Sequence, residues 1–159
     1  MYRSGIGYDL HRTTDQRPLV LGGVRIPCDF GLAGHSDADV VLHAVCDALL
    51  GAAGLGDIGE LFPETDPAYK DADSRSFVSE VLAQIRAGGY SVCNVDVIIH
   101  AERPKLAEHK PHIKASLAEL LGLPPAAVGV KATTNEGLGT IGCGEAIACW
   151  ATVLLARSA

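Results

Sequence analysis

The chain lacks the surplus of lysine and arginine that a nucleic-acid or anionic-membrane surface requires. Its 13 basic residues are outnumbered by 19 acidic ones, for a net charge of -6 and a pI near 5.4. A local phosphate site stays open, because backbone amides and bound metals can supply positive charge. No C-x-x-C pair occurs among Cys28, Cys46, Cys93, Cys143 and Cys149. Odd in number and set mostly in apolar runs, they read as buried thiols of a reducing cytosol, which excludes a disulfide framework and a zinc knuckle. No apolar run reaches membrane-spanning length and residues 1–12 carry no signal-like apolar segment, so a soluble cytoplasmic protein is expected. A G-x-x-x-x-G-K-[ST] loop, a G-x-S-x-G elbow and a cysteine with an evident base partner are all missing. Ordinary P-loop hydrolysis and serine or cysteine nucleophiles are thereby removed. Without repeats, low-complexity tracts or linkers, and with 48% apolar residues, residues 1–159 read as one domain with a substantial core.

What is present centres on residues 35–66, HSDADVVLHAVCDALLGAAGLGDIGELFPETD. Residues 39–53 have helical composition and are apolar nearly all round, which marks a buried helix. The exceptions, Asp39, His43 and Asp47, are spaced four apart and share one face. Buried polar groups need partners, and a metal or a phosphate group suits this stripe. Ser36 followed by Asp39 fits a capping pattern, which puts His35 and Ser36 at a helix N-terminus, a place that favours anions. Gly54-x-Gly56-x-x-Gly59 follows a helix and not a strand, so a dinucleotide fold is rejected. The stretch reads instead as a shaped loop carrying Asp57, Glu64 and Asp66, suited to substrate hydroxyls.

Residues 3–12 form a strand with Ile6, Tyr8 and Leu10 on one side and Gly7, Asp9 and His11 on the other. For a lone D-x-H pair the plain reading is a solvated strand face. Residues 18–27 make a hairpin about Gly22-Gly23. A second helix spans 74–87, its polar residues Arg75, Ser79, Glu80 and Gln84 forming a solvent face. A strand over 91–100, a helix from Pro111 to Leu121, a strand over 128–132 and a central strand over 145–156 follow. Thr133, Thr134, Asn135 and Glu136 leave the strand over 128–132 in a loop suited to phosphate plus a divalent cation, or to a simple turn. The order predicts an α+β fold, a single mixed β-sheet with helices packed on it as a two-layer sandwich.

Asp9 and His11 on one strand face, with His43 on a neighbouring helix, make a three-ligand set, as in catalytic zinc sites with one position open. Nitrogen-rich ligation favours zinc or another transition metal, and Glu136 with substrate phosphates suits magnesium. Asp47 is expected to accept a hydrogen bond from a ring of His43 or His11.

Together these motifs closely resemble the 2-C-methyl-D-erythritol 2,4-cyclodiphosphate synthase family, from about residue 3 to residue 156. The resemblance is carried by G-x-D-x-H at Gly7, Asp9 and His11, the H-S-D-x-D-V-x-x-H run from His35, L-G-D-I-G-x-L-F-P-x-T-D from Leu55, R-P-K from Arg103 and K-A-T-T-N-E-x-L-G from Lys131. It implies zinc on Asp9, His11 and His43, and magnesium or manganese on Glu136. It makes His35 and Thr134 transition-state stabilisers, with Ser36 beside them, and places Asp9, Leu10, His11, His35 and Ser36 against the substrate. Asp57, Ile58, Gly59, Phe62, Pro63, Glu64, Thr65 and Asp66 would hold the methylerythritol part. Ala101, Pro104, Lys105, Leu106 and Ala107, with Thr133, Thr134 and Asn135, would hold the cytidine nucleotide. A homotrimer with sites between subunits is implied, as is cyclisation with release of CMP in non-mevalonate isoprenoid synthesis. The family often has an aromatic residue and then an arginine where this chain has Thr140 and Cys143. That arginine is associated with a central trimer cavity for an isoprenoid diphosphate, to which this resemblance does not extend. A zinc-dependent phosphohydrolase and a non-catalytic, metal-stabilised diphosphate-binding trimer are the alternative readings.

Overall fold

Glycine at alternate positions of the first strand decides how closely a helix can lie on it. In a computed structural model that describes residues 1–157, strand β1 spans Tyr2–Thr14 and helix α1 spans Val40–Ala53. A Cβ on Gly5 would sit 2.0 Å from the Ala48 carbonyl oxygen, and one on Gly7 would sit 2.0 Å from that of Ala44. The strand backbone therefore rests directly on a helix stripe of Ala44, Ala48 and Ala52. The same strand face continues into Asp9 and His11, which brings them to His43, the neighbour of Ala44. The polar face of β1 turns inward, and Ile6, Tyr8 and Leu10 are left 63%, 43% and 42% exposed. The solvated-face reading of Asp9 and His11 is thus reversed, because only the glycine side can accept the helix.

The sheet has five strands in the order β4-β1-β7-β5-β6, with β4 Gly31–Leu32, β5 Tyr90–His100, β6 Val128–Thr133 and β7 Ala146–Arg157. Only the β5–β6 pair is parallel, and helix α4, Lys110–Leu121, makes that crossover. Helix α3, Ser74–Ala87, packs between α1 and α4. Val95, Val97, Ile99, Cys149, Ala151 and Val153 face these helices and are buried with them. The expected elements come in the expected order with short ones added between them, and the mixed sheet and the two layers match the expectation. The single sheet does not: β2, Leu19–Leu21, and β3, Val24–Ile26, pair only with each other. Among the described residues no helix is long and apolar enough to cross a membrane.

Asp39, not Ser36, caps α1. Its carboxylate accepts the amides of Val41 and Leu42 at 3.1 Å and those of Gly22 and Gly23 at 2.8 and 2.6 Å. Gly22 and Gly23 both have positive φ, 62° and 76°, as a two-residue hairpin turn requires. One buried carboxylate thus ties hairpin to helix. Burial raises its pKa while the amides of Gly23, Gly22 and Leu42 oppose the shift. The helix N-terminus is consequently filled from within, and the expected anion site at this helix end is not available. Residues 54–66 are also more ordered than a loop, since α2, Ile58–Leu61, begins at the Asp57 cap.

The Gly7–Ala44 contact yields a contrast in stability. Gly7→Ala is expected to destabilise by about 1–3 kcal/mol, because the clash is with backbone and cannot be relieved by a rotamer. Gly51, inside the helix, has its nearest neighbour 3.8 Å from an added Cβ. Gly51→Ala is expected to stabilise by about 0.5–1 kcal/mol through helix propensity. Urea unfolding of the two variants against the unsubstituted chain checks both signs.

Candidate functional site

Asp9, His11 and His43 converge so that one donor atom from each lies within 4.8 Å of the others. Asp9 Oδ2 is 2.8 Å from His11 Nε2 and 3.0 Å from His43 Nδ1, and the two ring nitrogens are 3.1 Å apart. His11 Nδ1 donates to the Ala33 carbonyl at 2.7 Å, which leaves Nε2 with its lone pair toward the cluster. On the far side of the other ring, His43 Nε2 lies 3.1 Å from Ser36 Oγ and 3.0 Å from Ser74 Oγ. One carboxylate and two imidazoles lining a pocket form a donor set that could hold a transition metal.

Burial disfavours the charged form of Asp9, but hydrogen bonds and attraction from His11 and His43 outweigh it and hold its pKa well below the usual range. Burial likewise lowers His11, and the Asp9 hydrogen bond and charge, the Ala33 carbonyl and Glu64 outweigh it, so its pKa is raised. The cluster is thus a carboxylate held ionised beside an imidazole inclined to keep a proton when no cation is bound.

The expected site residues gather into two pockets with no lining residue in common. The first holds the metal-ligand cluster with His35, Ser36, Ile58, Gly59, Phe62 and Glu64. His35 Nε2 is fixed by the Asp66 carbonyl at 3.1 Å, and Phe62 stacks on Phe77 at 4.5 Å between centroids to form an aromatic wall. Asp57 and Asp66 turn their carboxylates to the amides of Glu60 and Ala68 as helix caps. Pro63 and Thr65 do not line this pocket. Leu10 points to the open face of the sheet. The second pocket holds Ala101, Pro104, Lys105, Leu106, Ala107, Thr133 and Thr134. Thr134 Oγ1 donates to Glu136 at 3.1 Å, and Asn135 Oδ1 lies 3.2 Å from His100 Nδ1.

Sheet register explains the separation. His11 pairs with Ile147, Ala148 with His100, and His100 with Thr133, so both pockets lie at one end of the sheet. Three strand spacings of ~4.8 Å put the two pockets' backbones roughly 14 Å apart. Within a single chain His35 and Thr134 therefore line different pockets.

Asp47 departs from its expected role. It accepts the Ile58 amide at 2.8 Å, tying α2 to α1, while the polar groups beside the two rings are Asp9, Ala33, Ser36 and Ser74. Residues the sequence reading missed are Asp37 and Ser74, together with Tyr69 and Phe77 in the pocket wall. A signal for Ser74 was present: it continues the buried stripe of Phe77, Val78, Val81, Leu82 and Ile85 by one turn as a polar residue.

Residues 2–156 match the YgbB family. A 2-C-methyl-D-erythritol 2,4-cyclodiphosphate synthase of Bordetella petrii is 53% identical over 99% of this chain and 97% of its own length. The chain belongs to the YgbB family. Among solved structures, the bifunctional IspDF of Campylobacter jejuni superposes with a TM-score of 0.95 at 41% identity, over 99% of this chain and 42% of that longer one. A CDP complex of IspF from Plasmodium falciparum does so with a TM-score of 0.87 at 34% identity, over 99% of this chain and 97% of its own.

Two outcomes follow for the metal-free protein and for Asp47. The Asp9 contribution to stability is complete above its unfolded value of 3.8 and is lost as pH falls through its lower folded value. The His11 contribution is complete below 6.5 and is lost as pH rises through its raised folded value. With a chelator present, the cluster should therefore stabilise most between 3.8 and 6.5, and Asp9→Asn should flatten both limbs of a Tm-against-pH curve. Asp47→Asn should leave zinc affinity within twofold, roughly, of the starting value by chelator competition, since it acts on Ile58 and not on a ligand ring.

Proposed function

We infer that this chain converts 4-diphosphocytidyl-2-C-methyl-D-erythritol 2-phosphate to 2-C-methyl-D-erythritol 2,4-cyclodiphosphate, releasing CMP, through one synthase domain that spans the chain. The observation that carries this reading is the Asp9/His11/His43 donor cluster, opening into a pocket in a chain 53% identical to a named synthase. An oxygen of the 2-phosphate attacks the phosphorus of the diphosphate nearer the methylerythritol. The bond from that phosphorus to the CMP oxygen breaks, and CMP leaves with the electron pair. A phosphate nucleophile is already ionised at neutral pH, so the protein needs no strong general base. Its task is to fold the substrate and to offset crowded negative charge.

Asp9, His11 and His43 would hold zinc or a similar divalent transition metal, and Glu136 magnesium or manganese; bound cations supply charge neutralisation at the phosphates. His35 and Ser36 face the reacting phosphates from the first pocket, and Thr134 does so from the second. Phe62, Glu64 and the Asp57–Asp66 segment enclose the methylerythritol, while Lys105 and its neighbours hold the cytidine nucleotide. The two pockets join when copies of the chain assemble as a homotrimer. The separation of His35 from Thr134 supports this, as does an exposed apolar sheet face in which Tyr8 and Trp150 lie 4.5 Å apart, together with Ile6 and Leu10. Buried free thiols at Cys46 and Cys149 suit a cytoplasmic location.

Phosphorus NMR of the metal-loaded protein with the diphosphocytidyl substrate tests the reaction. Cyclic diphosphate and CMP in equal amounts are expected; a linear product carrying solvent oxygen would establish the hydrolase instead, and no turnover the binding protein. Shared sites are tested by mixing and reassembling His35→Ala and Thr134→Ala chains, each inactive alone. Random assembly should restore about a quarter of full activity, since each site then draws one residue from each of two subunits.

A further inference from the structure

Outside the ligand set, one buried polar chain leads away from the metal centre. Ser74, the first residue of α3, is 0% exposed, and Asp37 grips it twice. The Ser74 amide donates to Asp37 Oδ2 at 3.1 Å and the Ser74 hydroxyl donates to Asp37 Oδ1 at 2.5 Å. An ionised carboxylate only accepts, and a serine hydroxyl has one proton. That proton is directed at Asp37, so toward His43 Nε2, 3.0 Å away, the Ser74 oxygen can act only as an acceptor. A hydrogen bond from the ring to Ser74 therefore needs hydrogen on His43 Nε2, and in the neutral ring that leaves the lone pair on Nδ1, facing His11 Nε2 at 3.1 Å, whereas the opposite tautomer would donate from Nδ1 to Asp9 Oδ2 at 3.0 Å. Ser36 fits this arrangement, since its oxygen accepts the Ala38 amide at 3.2 Å and its proton can turn to Ser74 Oγ at 3.4 Å; turned instead to His43 Nε2 at 3.1 Å, it would favour the other tautomer.

We propose that Ser74, oriented by Asp37, is a positioning residue that locks His43 in the tautomer with Nδ1 free for the metal. Asp37 thus acts on the metal site across two hydrogen bonds, through a hydroxyl whose direction it dictates. The same contacts anchor α3 to the segment that carries His35 and Ser36, since the Asp37 amide also donates to the Ala72 carbonyl at 2.9 Å. The ligand ring and the pocket wall made by Phe77 of α3 are in this way held by one carboxylate.

Two readouts independent of turnover test the proposal. In long-range nitrogen NMR of the metal-free protein at alkaline pH, His43 should show a protonated Nε2 and a bare Nδ1, and Ser74→Ala should mix the two tautomers. Zinc affinity by chelator competition should fall roughly 10–100-fold in Ser74→Ala, the range typical of losing a ligand's hydrogen-bond partner. Asp37→Asn, which keeps an acceptor oxygen but loses the charge, should fall in the same direction by a smaller factor, and it provides the reading if Ser74→Ala does not fold. A purely structural role for Ser74 would lower the metal-free Tm while leaving both the His43 spectrum and the zinc affinity unchanged, and that result would overturn the proposal. So would a change of both readouts in Ser36→Ala but not in Ser74→Ala, which would make Ser36 the positioning group.

Discussion

The close approach of β1 to α1 is the constraint from which the rest of this molecule is built. It exists because Gly5 and Gly7 present bare backbone to a helix stripe of Ala44, Ala48 and Ala52. At that distance even a methyl group overlaps a carbonyl oxygen, so the register of helix on strand has no freedom to slide. Register in turn decides which helix residue faces Asp9 and His11, and that residue is His43. A metal site made from two elements needs such a stop, because half an ångström of drift would open a cluster whose donor atoms stand about 3 Å apart.

Two carboxylates, one capping α1 and one within it, show how the same residue type serves different ends in one stripe. Asp39 is fully buried and surrounded by four amides, so it is a structural ion that welds the β2–β3 hairpin to the helix start. Asp47, near the other end, holds the α2 amide of Ile58 and so shapes the floor of the first pocket. Between them His43 meets Asp9 and His11 with one nitrogen and Ser36 and Ser74 with the other. Spacing of four residues placed all three on one face, and their partners then gave each a separate task.

The open face of the sheet has a different logic. Turning the glycine side of β1 inward forces Ile6, Tyr8 and Leu10 outward, beside Trp150 of β7. An apolar sheet face left by a two-layer fold suits burial against other copies of the chain. His35 and Thr134 line different pockets of one chain, whose strands β1 and β6 stand roughly three strand spacings apart.

Most elements were legible from local pattern. The helix over 74–87, the hairpin at Gly22-Gly23 and the central strand near the C-terminus follow from periodicity, glycine and β-branched content. That Asp9, His11 and His43 could form one donor set was legible from residue chemistry and from which face each occupies. Contacts between elements distant in sequence could not be read this way. The Ser36 cap, the Asp47 partner and the direction of the β1 faces all depended on which group lay across a tertiary contact. Asp37 and Ser74 were invisible for the same reason, since their hydrogen bonds span 37 residues. Sequence by itself determined the elements, the donor residues and the family, because those rest on periodicity, side-chain chemistry and motif spacing. Only the tertiary structure decided orientation, hydrogen-bond polarity and the division into two pockets, because each depends on packing distances that no local pattern encodes.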